Sequence, residues 1–536
     1  MKIARTHSAK IIGDVAVPVT VECSVEPGIG IVLVGLADAA VKESLLRTVT
    51  ALQSNGYSIP GNKVIVNLVP VDLAKEGSAY DLPIALALIR ASGQDDLSEA
   101  MAEVGGTRSL LFLNDMKAVL KDIDNWLIMG ELGLDGSVRS VRGCVQAAET
   151  AINKGYAGVI VPKDNANEMR DLFQKEDIPI HGVSSLREAF FCIANPDDAP
   201  TIWDVAAKPV EPKKDSSSWD LLGGCPSARR ALEIAAAGGH HLLLAGAPGS
   251  GKAFLAKAIL DILPPMDREE TLEVARVWSA SGKGAYRPGL RDEGPSRPYR
   301  APHYSIGLSA LVGGGAGEAV LPGEVSLATG GVLHLDEFAE MPKSTKEALR
   351  GPLEDKKVII SRLHSKTEYP SRFLLVAGTY LCPCGCYGED DRCKCTPSQR
   401  GAYLASLYGP VYDQIDIQVF VRNVFSEETK PLPMGEDVAS VRKRVAAARL
   451  MQRKRLGKGR LNADMTASQA DTNCRLGREE NELMEKVISS LGLSVRSYTH
   501  ILKVARTIAD LEGSKTILKH HIAEAAGYRF LDRTIF

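Results

Sequence analysis

Hydrophobic and polar residues in the first part of the chain follow a pattern that predicts both strands and helices. Residues 15–23, 63–69 and 157–162 are rich in apolar and β-branched side chains, as is typical of strands. Other apolar residues recur at helical spacing before Gly56, which favours the end of a helix. These residues are Val41, Leu45, Val49 and Leu52. We therefore predict a mixed α/β domain over residues 1–194.

A segment rich in proline, lysine and serine follows this domain. It contains Pro196, Pro200, Pro209, Pro212, Lys213, Lys214 and three serines. Such a composition favours an extended chain without a core, so we predict a linker over residues 195–218. Beyond it, helical and buried-strand patterns predict a second α/β domain over residues 219–432. An almost wholly helical pattern predicts a terminal helical domain over residues 433–536.

Composition and charge narrow the class of protein. The 536 residues are several times the ~100–200 residues of one domain, and 45% of them are hydrophobic, as in ordinary globular proteins. A formal net charge of -2 means that any contact with nucleic acid must come from a local patch. Because no apolar stretch has the length of a signal peptide or a membrane span, we expect a cytoplasmic protein with no membrane partner.

One such patch lies near the start of the helical domain. Residues 441–460 hold nine basic side chains and no acidic one. Apolar residues at helical spacing within it indicate a buried stripe. Two interpretations stay open, a solvated helix face and a strip that faces DNA.

A glycine-rich loop in the second domain has the sequence context of a phosphate-binding site. Residues 241–245 are typical of a buried strand, and a helical pattern runs over residues 254–260. Between them lie Gly246, Ala247, Pro248, Gly249, Ser250, Gly251 and Lys252. In this arrangement backbone N–H groups wrap the phosphates of ATP and the lysine reaches the outer phosphates. The next residue is Ala253, where the usual loop has a hydroxyl that binds Mg²⁺.

A second motif supplies carboxylates. Residues 331–335 form a short, mostly apolar run that ends in Asp336 and Glu337. A central strand of this kind delivers Asp336 to Mg²⁺ and Glu337 to the attacking water. We interpret His334, within the run, as a core histidine. The two motifs together predict a P-loop fold that binds ATP and Mg²⁺.

Five of the ten cysteines fall within 14 residues. Two Cys-x-Cys pairs, Cys382 with Cys384 and Cys393 with Cys395, offer four thiolates for a tetrahedral Zn²⁺. The spacing is tighter than that of the usual zinc knuckle, and Cys386 is a spare thiol. Reduced surface thiols and a redox pair are the alternatives to structural zinc.

With these motifs, the chain resembles the YifB/ComM family of Mg-chelatase-like AAA+ ATPases over nearly its full length. The resemblance rests on residues 35–44, 75–83, 350–355, 382–385, 493–498 and 501–506. It implies a Lon-protease-like N-terminal domain, an AAA+ core and a C-terminal helical lid. It also implies a homohexameric ring that acts on DNA, since the best-known members are branch-migration motors in natural transformation. Arg496 matches the second sensor of the family, a catalytic position.

Three departures from the family pattern concern hydrolysis. Ala253 replaces a hydroxyl, Tyr380 stands where the water-orienting Asn belongs, and Gln414 stands where the arginine finger belongs. An arginine finger alone is worth about 10³–10⁵ in turnover. We therefore predict an ATP-binding ring with weakened hydrolysis, since Lys252 and the two carboxylates remain. A fully active DNA-translocating motor and a metal-chelatase subunit are the alternatives.

The resemblance also bears on three other segments. The Lon-type catalytic dyad is absent, because Ala79 and Val145 occupy its positions, so we expect no protease activity. In the family, the segments that correspond to residues 297–305 and 313–315 face the ring centre. There, Arg297 and Arg300 would contact the phosphate backbone of DNA. A purely structural loop is the alternative there. Residues 98–124 carry no motif and are interpreted as an insertion.

Overall fold

The computed structural model describes most of the chain. The described residues are 3–36, 38–94, 120, 122–174, 177–204, 219, 222, 225–283, 290–291, 294–295, 297–315, 320–361, 366–388, 392–422, 436–491 and 495–534. Most of the predicted insertion at 98–124 and the predicted linker from residue 205 onward lie outside them. The described start of that linker is packed, since Ala199 and Ile202 are buried against the first domain.

In the described part of the first domain, seven strands form one mixed sheet in the order β3-β4-β2-β1-β5-β8-β9. The strands of this sheet are β1 Ile3–Ile12, β2 Val15–Glu26, β3 Ile31–Val34, β4 Lys63–Val69, β5 Trp126–Ile128, β8 Gly158–Pro162 and β9 Ile180–Val183. A separate small hairpin is formed by β6 Glu131–Leu132 and β7 Val138–Arg139. The three strands predicted from the sequence are confirmed as β2, β4 and β8. β1 and β2 pair antiparallel along their length, from Ile3 opposite Ser24 to Ile12 opposite Val15.

Helices pack on this sheet. They are α1 Ala39–Ser54, α2 Asp81–Ala91, α3 Cys144–Lys154, α4 Lys163–Met169 and α5 Leu186–Ala194. The predicted helix before Gly56 is α1, which begins where Asp38 Oδ1 accepts a hydrogen bond from the Val41 N–H at 2.8 Å. Nearly all of α2 is buried. The first domain is therefore mixed α/β, as predicted.

The second domain is built on a parallel sheet. Its described strands lie in the order β13-β16-β19-β10-β20, and every neighbouring pair is parallel. They are β10 Leu242–Ala245, β13 Tyr299–Arg300, β16 Val332–Leu335, β19 Leu374–Thr379 and β20 Ile417–Phe420. Short hairpins are β11 Leu290–Arg291 with β12 Gly294–Pro295, β14 Gly313–Gly314 with β15 Leu321–Pro322, and β17 Lys357–Ser361 with β18 Lys366–Pro370. β10, β16 and β19 are buried throughout, as central parallel strands must be.

Helices cover both faces of this sheet and continue into the terminal domain. In the second domain they are α6 Pro226–Gly238, α7 Lys252–Ile262, α8 Arg268–Ser281, α9 Leu308–Val312, α10 Glu324–Leu327, α11 Lys343–Glu347, α12 Arg350–Asp355 and α13 Pro397–Ala405. In the terminal domain they are α14 Val438–Leu456, α15 Ala467–Asn473, α16 Arg478–Leu491, α17 Val495–Leu511 and α18 Lys519–Gly527. No helix in the described ranges is long and apolar enough to cross a membrane. The arrangement fits an AAA+-like fold with a helical C-terminus.

The basic run of residues 441–460, all of which the structure describes, lies on α14 and the turn after it. Six of its nine basic side chains bond to other parts of the protein. The pairs are Arg442 with the Asp261 carbonyl, Arg444 with Glu233, Arg449 with the Ala236 carbonyl, Arg453 with Asp267, Arg455 with Asp510 and Lys458 with Glu269. Much of the positive charge therefore holds α14 in place, which neither sequence interpretation foresaw.

A buried carboxylate joins the second domain to the terminal helices. Asp416, immediately before β20, accepts hydrogen bonds from His240 Nδ1 at 2.7 Å and from His500 Nδ1 on α17. The other nitrogen of His240 bonds to Thr507 Oγ1, also on α17, at 2.7 Å. Burial alone would raise the pKa of Asp416, but the two imidazoles hold it well below its ordinary value. These hydrogen bonds thus hold the terminal helices against the sheet.

We predict that Asp416→Asn lowers the melting temperature by at least about 5 °C at pH 7, because removing one member of a buried charged cluster costs about 3–5 kcal/mol. The folded protein depresses the pKa of Asp416, so the stabilisation is present above the unfolded pKa of about 3.9 and is lost as the pH falls through the folded value. The difference between variant and wild type should therefore shrink in acid. Glu479→Gln, which removes an exposed partner of Lys519, is the control and should change the melting temperature little. Equal melting curves for Asp416→Asn and wild type would contradict this role.

Candidate functional site

The glycine-rich loop connects the end of β10 to the start of α7. Gly249 and Gly251 have φ values of 79° and 86°, the left-handed region that glycine enters without strain. At Gly246, an added Cβ would lie 2.3 Å from the Val421 carbonyl oxygen, just beyond β20. The loop is therefore pressed against the neighbouring strand end, and only glycine fits at its first position.

Lys252, the first residue of α7, is 5% exposed and turned toward its own loop. Its Nζ donates hydrogen bonds to the carbonyl oxygens of Gly246 and Ala247, each at 2.9 Å. The same ammonium group lies 4.7 Å from the ring centre of Tyr380. These contacts hold the lysine at the mouth of the loop, where incoming phosphate oxygens would replace the carbonyls.

Two residues, one in the loop and one at the start of the helix after it, affect the binding of nucleotide and metal. Ser250 is buried, and its Oγ has no hydrogen-bond partner within the described part of the chain. An orphaned buried hydroxyl beside the loop fits a site whose polar groups are satisfied by bound phosphate. Ala253 is exposed at the start of α7 and brings no oxygen, so the metal ligand missing from the sequence is also missing here.

The two carboxylates follow β16 at the same edge of the sheet. Gly378 of β19 makes room for Asp336, because an added Cβ would lie 2.4 Å from Asp336 Oδ1. Glu337 has a φ of 51°, unusual for a residue with a side chain, and its N–H donates to Asp336 Oδ1 at 3.0 Å. Inside β16, His334 is buried and bonds to the Tyr299 hydroxyl at 2.9 Å, which agrees with its interpretation as a core histidine.

Tyr380 contacts both halves of the predicted site. It follows β19, and its hydroxyl donates a hydrogen bond to Glu337 Oε1 at 3.1 Å while its ring faces Lys252. Burial, together with the nearby Glu337 carboxylate, raises the pKa of Tyr380 to about 12, so the hydroxyl keeps its proton at neutral pH. The sequence identified Tyr380 only as a departure from the family; its two contacts come from the fold.

Arg496 bonds to Asp413, the residue that precedes Gln414. Arg496 Nη1 donates to Asp413 Oδ2 at 2.6 Å, and the two side chains are 71% and 45% exposed. Gln414 Nε2 donates to Glu354 Oε1 at 3.2 Å. None of the contacts described for Arg496 joins it to the residues of the predicted nucleotide site, and its role as second sensor stays a prediction.

The four predicted cysteine ligands do come together. The Sγ atoms of Cys382 and Cys384 are 3.3 Å apart, and Cys393 Sγ lies 3.7 and 3.8 Å from them. All four sulfurs, including that of Cys395, lie within 4.8 Å of one another. A tetrahedral site with Zn–S bonds of about 2.3 Å has sulfur–sulfur edges of roughly 3.8 Å. The cluster thus has the dimensions of a four-thiolate metal site.

The thiols of the cluster differ in pKa. The Cys386 N–H, followed by neighbouring thiols, lowers the pKa of Cys384 to about 6, whereas burial raises that of Cys382 to about 12. Cys386 itself is directed elsewhere, since its thiol bonds to the Cys384 carbonyl at 3.5 Å. The spare cysteine is therefore not a member of the described cluster.

A second group of side chains that could bind a metal ion consists of Glu512, His520 and His521. The sequence pattern did not predict this group. His521 Nδ1 accepts a hydrogen bond from the Leu518 N–H at 2.9 Å, so its proton lies on Nε2, which donates to Glu512 Oε2 at 3.0 Å. Both ring nitrogens are thus used in holding the start of α18. This geometry favours a structural role.

The loop that the family resemblance directs toward a ring centre is bonded within the chain. The side chain of Arg297 is 7% exposed and donates to the carbonyls of Pro264 and Gly330 at 2.7 and 2.6 Å and to Glu270 at 2.8 Å. Arg300 pairs with Glu324 at 2.8 Å. Both arginines are therefore held by carbonyls or carboxylates of their own chain, and the two sequence interpretations of the loop stay predictions.

A cavity of about 700 Å³ lies at the opposite edge of the parallel sheet, near the amino ends of β16 and β19. Its lining includes Glu149, Glu270, Arg276 and Arg449. Arg276 pairs with Glu149, Glu270 pairs with Arg297, and Arg449 donates to the Ala236 carbonyl. Because the glycine-rich loop and the carboxylates are at the other edge, this cavity is separate from the predicted nucleotide site.

Comparison with known proteins agrees with this arrangement. Residues 219–429 match the model of the magnesium chelatase subunit ChlI, and residues 435–529 match that of the ChlI C-terminal region. Residues 21–111 and 109–165 match a further ChlI model.

Whole proteins match as well. The chain is 37% identical to the uncharacterized protein YifB of Escherichia coli over 540 residues, covering 100% of this chain and 98% of that protein. It is 36% identical to the competence protein ComM of Haemophilus influenzae, covering 100% and 99%. An uncharacterized protein of Mycobacterium tuberculosis is 33% identical over 99% of both chains. This chain therefore belongs to the YifB/ComM family of Mg-chelatase-like proteins.

Proposed function

We propose that this protein is an ATP-binding AAA+ protein of DNA processing whose ATP hydrolysis is weakened. The contact of Tyr380 with both Lys252 and Glu337 is the observation that carries the proposal. The DNA-related part rests on similarity to a competence protein. The proposed assembly is a homohexameric ring, in which Gln414 and the exposed Arg496 would lie at the surface between subunits.

The residues present fit the binding of ATP better than its hydrolysis. Backbone N–H groups of the loop, the Ser250 hydroxyl and Lys252 would hold the phosphates, and Asp336 would hold Mg²⁺, which neutralises phosphate charge when bound. Hydrolysis also needs a carboxylate that is free to accept a proton from water. The Tyr380 hydroxyl already donates to that carboxylate, Glu337.

The remaining losses act on different parts of the same reaction. Ala253 offers no oxygen to Mg²⁺, so the metal would rely on Asp336 and water. Gln414 is neutral and bonds within its own chain, so it brings no positive charge to a neighbouring site. The chain thus lacks a metal-binding hydroxyl, a water-orienting Asn and an arginine finger, and these three losses support slow turnover of ATP.

For the first domain we propose a Lon-protease-like scaffold without protease activity. Val145 is fully buried in α3, and Ala79 packs against the apolar core formed around that helix. The nearby Ser78 hydroxyl donates to the carboxylate of Glu131. Neither half of a serine–lysine dyad occupies its family position, which supports a role other than proteolysis.

For the cysteine cluster we propose structural Zn²⁺ held by Cys382, Cys384, Cys393 and Cys395. The sulfur–sulfur distances near 3.8 Å support this metal and this coordination number. Zinc bound by four thiolates has no open coordination position and serves structure rather than catalysis.

We predict that the purified protein binds ATP but releases phosphate no faster than Glu337→Gln, with or without branched DNA. Lys252→Ala should weaken ATP binding at least tenfold, because the charge that meets the outer phosphates is lost. Binding is measured with a fluorescent ATP analogue and turnover by phosphate release. Robust DNA-stimulated turnover that Glu337→Gln abolishes would overturn weakened hydrolysis and favour an active motor.

We predict that Tyr380→Phe increases the rate of phosphate release. The change keeps the ring beside Lys252 but removes the donor to Glu337, and a hydrogen bond to a charged group is worth about 1.5–3 kcal/mol, or roughly 10–100-fold. The variant is compared in the native background and with Ala253→Thr and Gln414→Arg, which restore the metal ligand and the charge. Tyr57→Phe, in the first domain, is the control and should have no effect. An unchanged rate in both backgrounds would remove Tyr380 from the explanation.

We predict about one zinc per chain in protein purified without chelators, measured by elemental analysis. Cys393→Ser should lose the metal, because three thiolates leave the tetrahedral site incomplete. Cys386→Ser is the matched control and should retain it, since its thiol is directed to a carbonyl. Metal-free wild-type protein would leave the cluster as reduced thiols.

A further inference from the structure

The cysteine cluster lies directly against the glycine-rich loop. Gly385, between Cys384 and Cys386, has a φ of 77°, and an added Cβ would lie 2.9 Å from Cδ of Pro248. The same added atom would be 3.7 Å from Cδ1 of Tyr380. The backbone between the ligands is therefore in close contact with the middle of the predicted phosphate loop.

The cysteine segment, described over residues 382–388 and 392–395, also contacts the sheet. At Gly388, whose φ is 94°, an added Cβ would lie 2.5 Å from Cζ of Phe420. Phe420 is the last residue of β20 and is paired with Ala245, which immediately precedes the glycine-rich loop. The cysteine segment therefore contacts both Pro248 and the strand that flanks the glycine-rich loop.

We infer that the metal-bound cysteine segment positions the glycine-rich loop and thereby sets the affinity for ATP. Four metal–sulfur bonds close the segment at both ends, so Gly385 presents a fixed surface to Pro248. Without metal, a segment held only by thiols samples many more conformations, and the loop loses this support. The inference rests on both the proposed nucleotide site and the proposed zinc site. Gly385 and Pro248 are positioning residues, since neither is assigned a contact with the reacting atoms.

The first test compares ATP affinity in the full-length protein before and after zinc is removed by a chelator. A fluorescent ATP analogue is the probe, and excess chelator is removed before the Mg²⁺-containing titration. We expect affinity to fall about tenfold without zinc and to return when zinc is added back. Cys393→Ser should bind the analogue as weakly as the zinc-free wild type, whereas Cys386→Ser should match the zinc-loaded wild type. Melting curves recorded in parallel show whether a variant has unfolded.

Two further variants separate positioning from overall stability. Gly385→Ala places a methyl group against Pro248, so we expect retained zinc with ATP affinity reduced at least fivefold. Pro248→Ala removes the ring that Gly385 contacts, so its ATP affinity should no longer depend on zinc. A general loss of stability would weaken binding in this variant without abolishing its response to zinc.

The outcomes distinguish a failure of this inference from a failure of the nucleotide site or the zinc site on which it rests. Zinc-loaded and zinc-free wild-type protein with equal ATP affinity would overturn the inference and leave both sites intact. Protein that holds no zinc would overturn the metal site and the inference together. Protein that holds zinc but binds no ATP would overturn the nucleotide site, and the inference with it.

Discussion

Parallel pairing of the strands in the second domain is the constraint on which the candidate site depends. Because β16, β19, β10 and β20 all run in the same direction, their carboxyl ends lie at one edge of the sheet. The glycine-rich loop, the Asp336–Glu337 pair and Tyr380 each follow one of these ends. Side chains that are more than a hundred residues apart in sequence, such as Lys252 and Tyr380, therefore meet within a few ångströms. The same geometry brings the cysteine segment, which follows β19, against Pro248.

Charge in this protein is used mainly to join its parts. The arginines of α14 bond to the second domain, and Asp416 binds histidines from both sides of the boundary with the terminal helices. Desolvated charges are costly unless paired, so such contacts define one relative placement of the helices and the sheet. A sequence run that is rich in arginine therefore need not be a surface for nucleic acid, because five of the guanidinium groups in this run bond to a carbonyl or carboxylate of the same chain.

Glycine has a comparable role at the site. Gly246, Gly378 and Gly385 each lie where a side chain would collide with a neighbouring backbone, carboxylate or proline. Close approach at these positions lets the loop, Asp336 and the cysteine segment pack as one unit. The site is therefore supported by backbone contacts as much as by side-chain chemistry.

The sequence by itself determined the elements and the family. The strands β2, β4 and β8, the strand–loop–helix around Gly246 and the cysteine pairs follow from local periodicity and residue spacing, which depend on neighbours in the chain. Only the tertiary structure decided that Tyr380 contacts Lys252 and Glu337, that Arg297 pairs with Glu270, and that Arg496 pairs with Asp413. Those contacts join residues far apart in the chain, and the distance between two such residues is set by strand order and helix packing. The spacing of residue types along the sequence carries no information about that order.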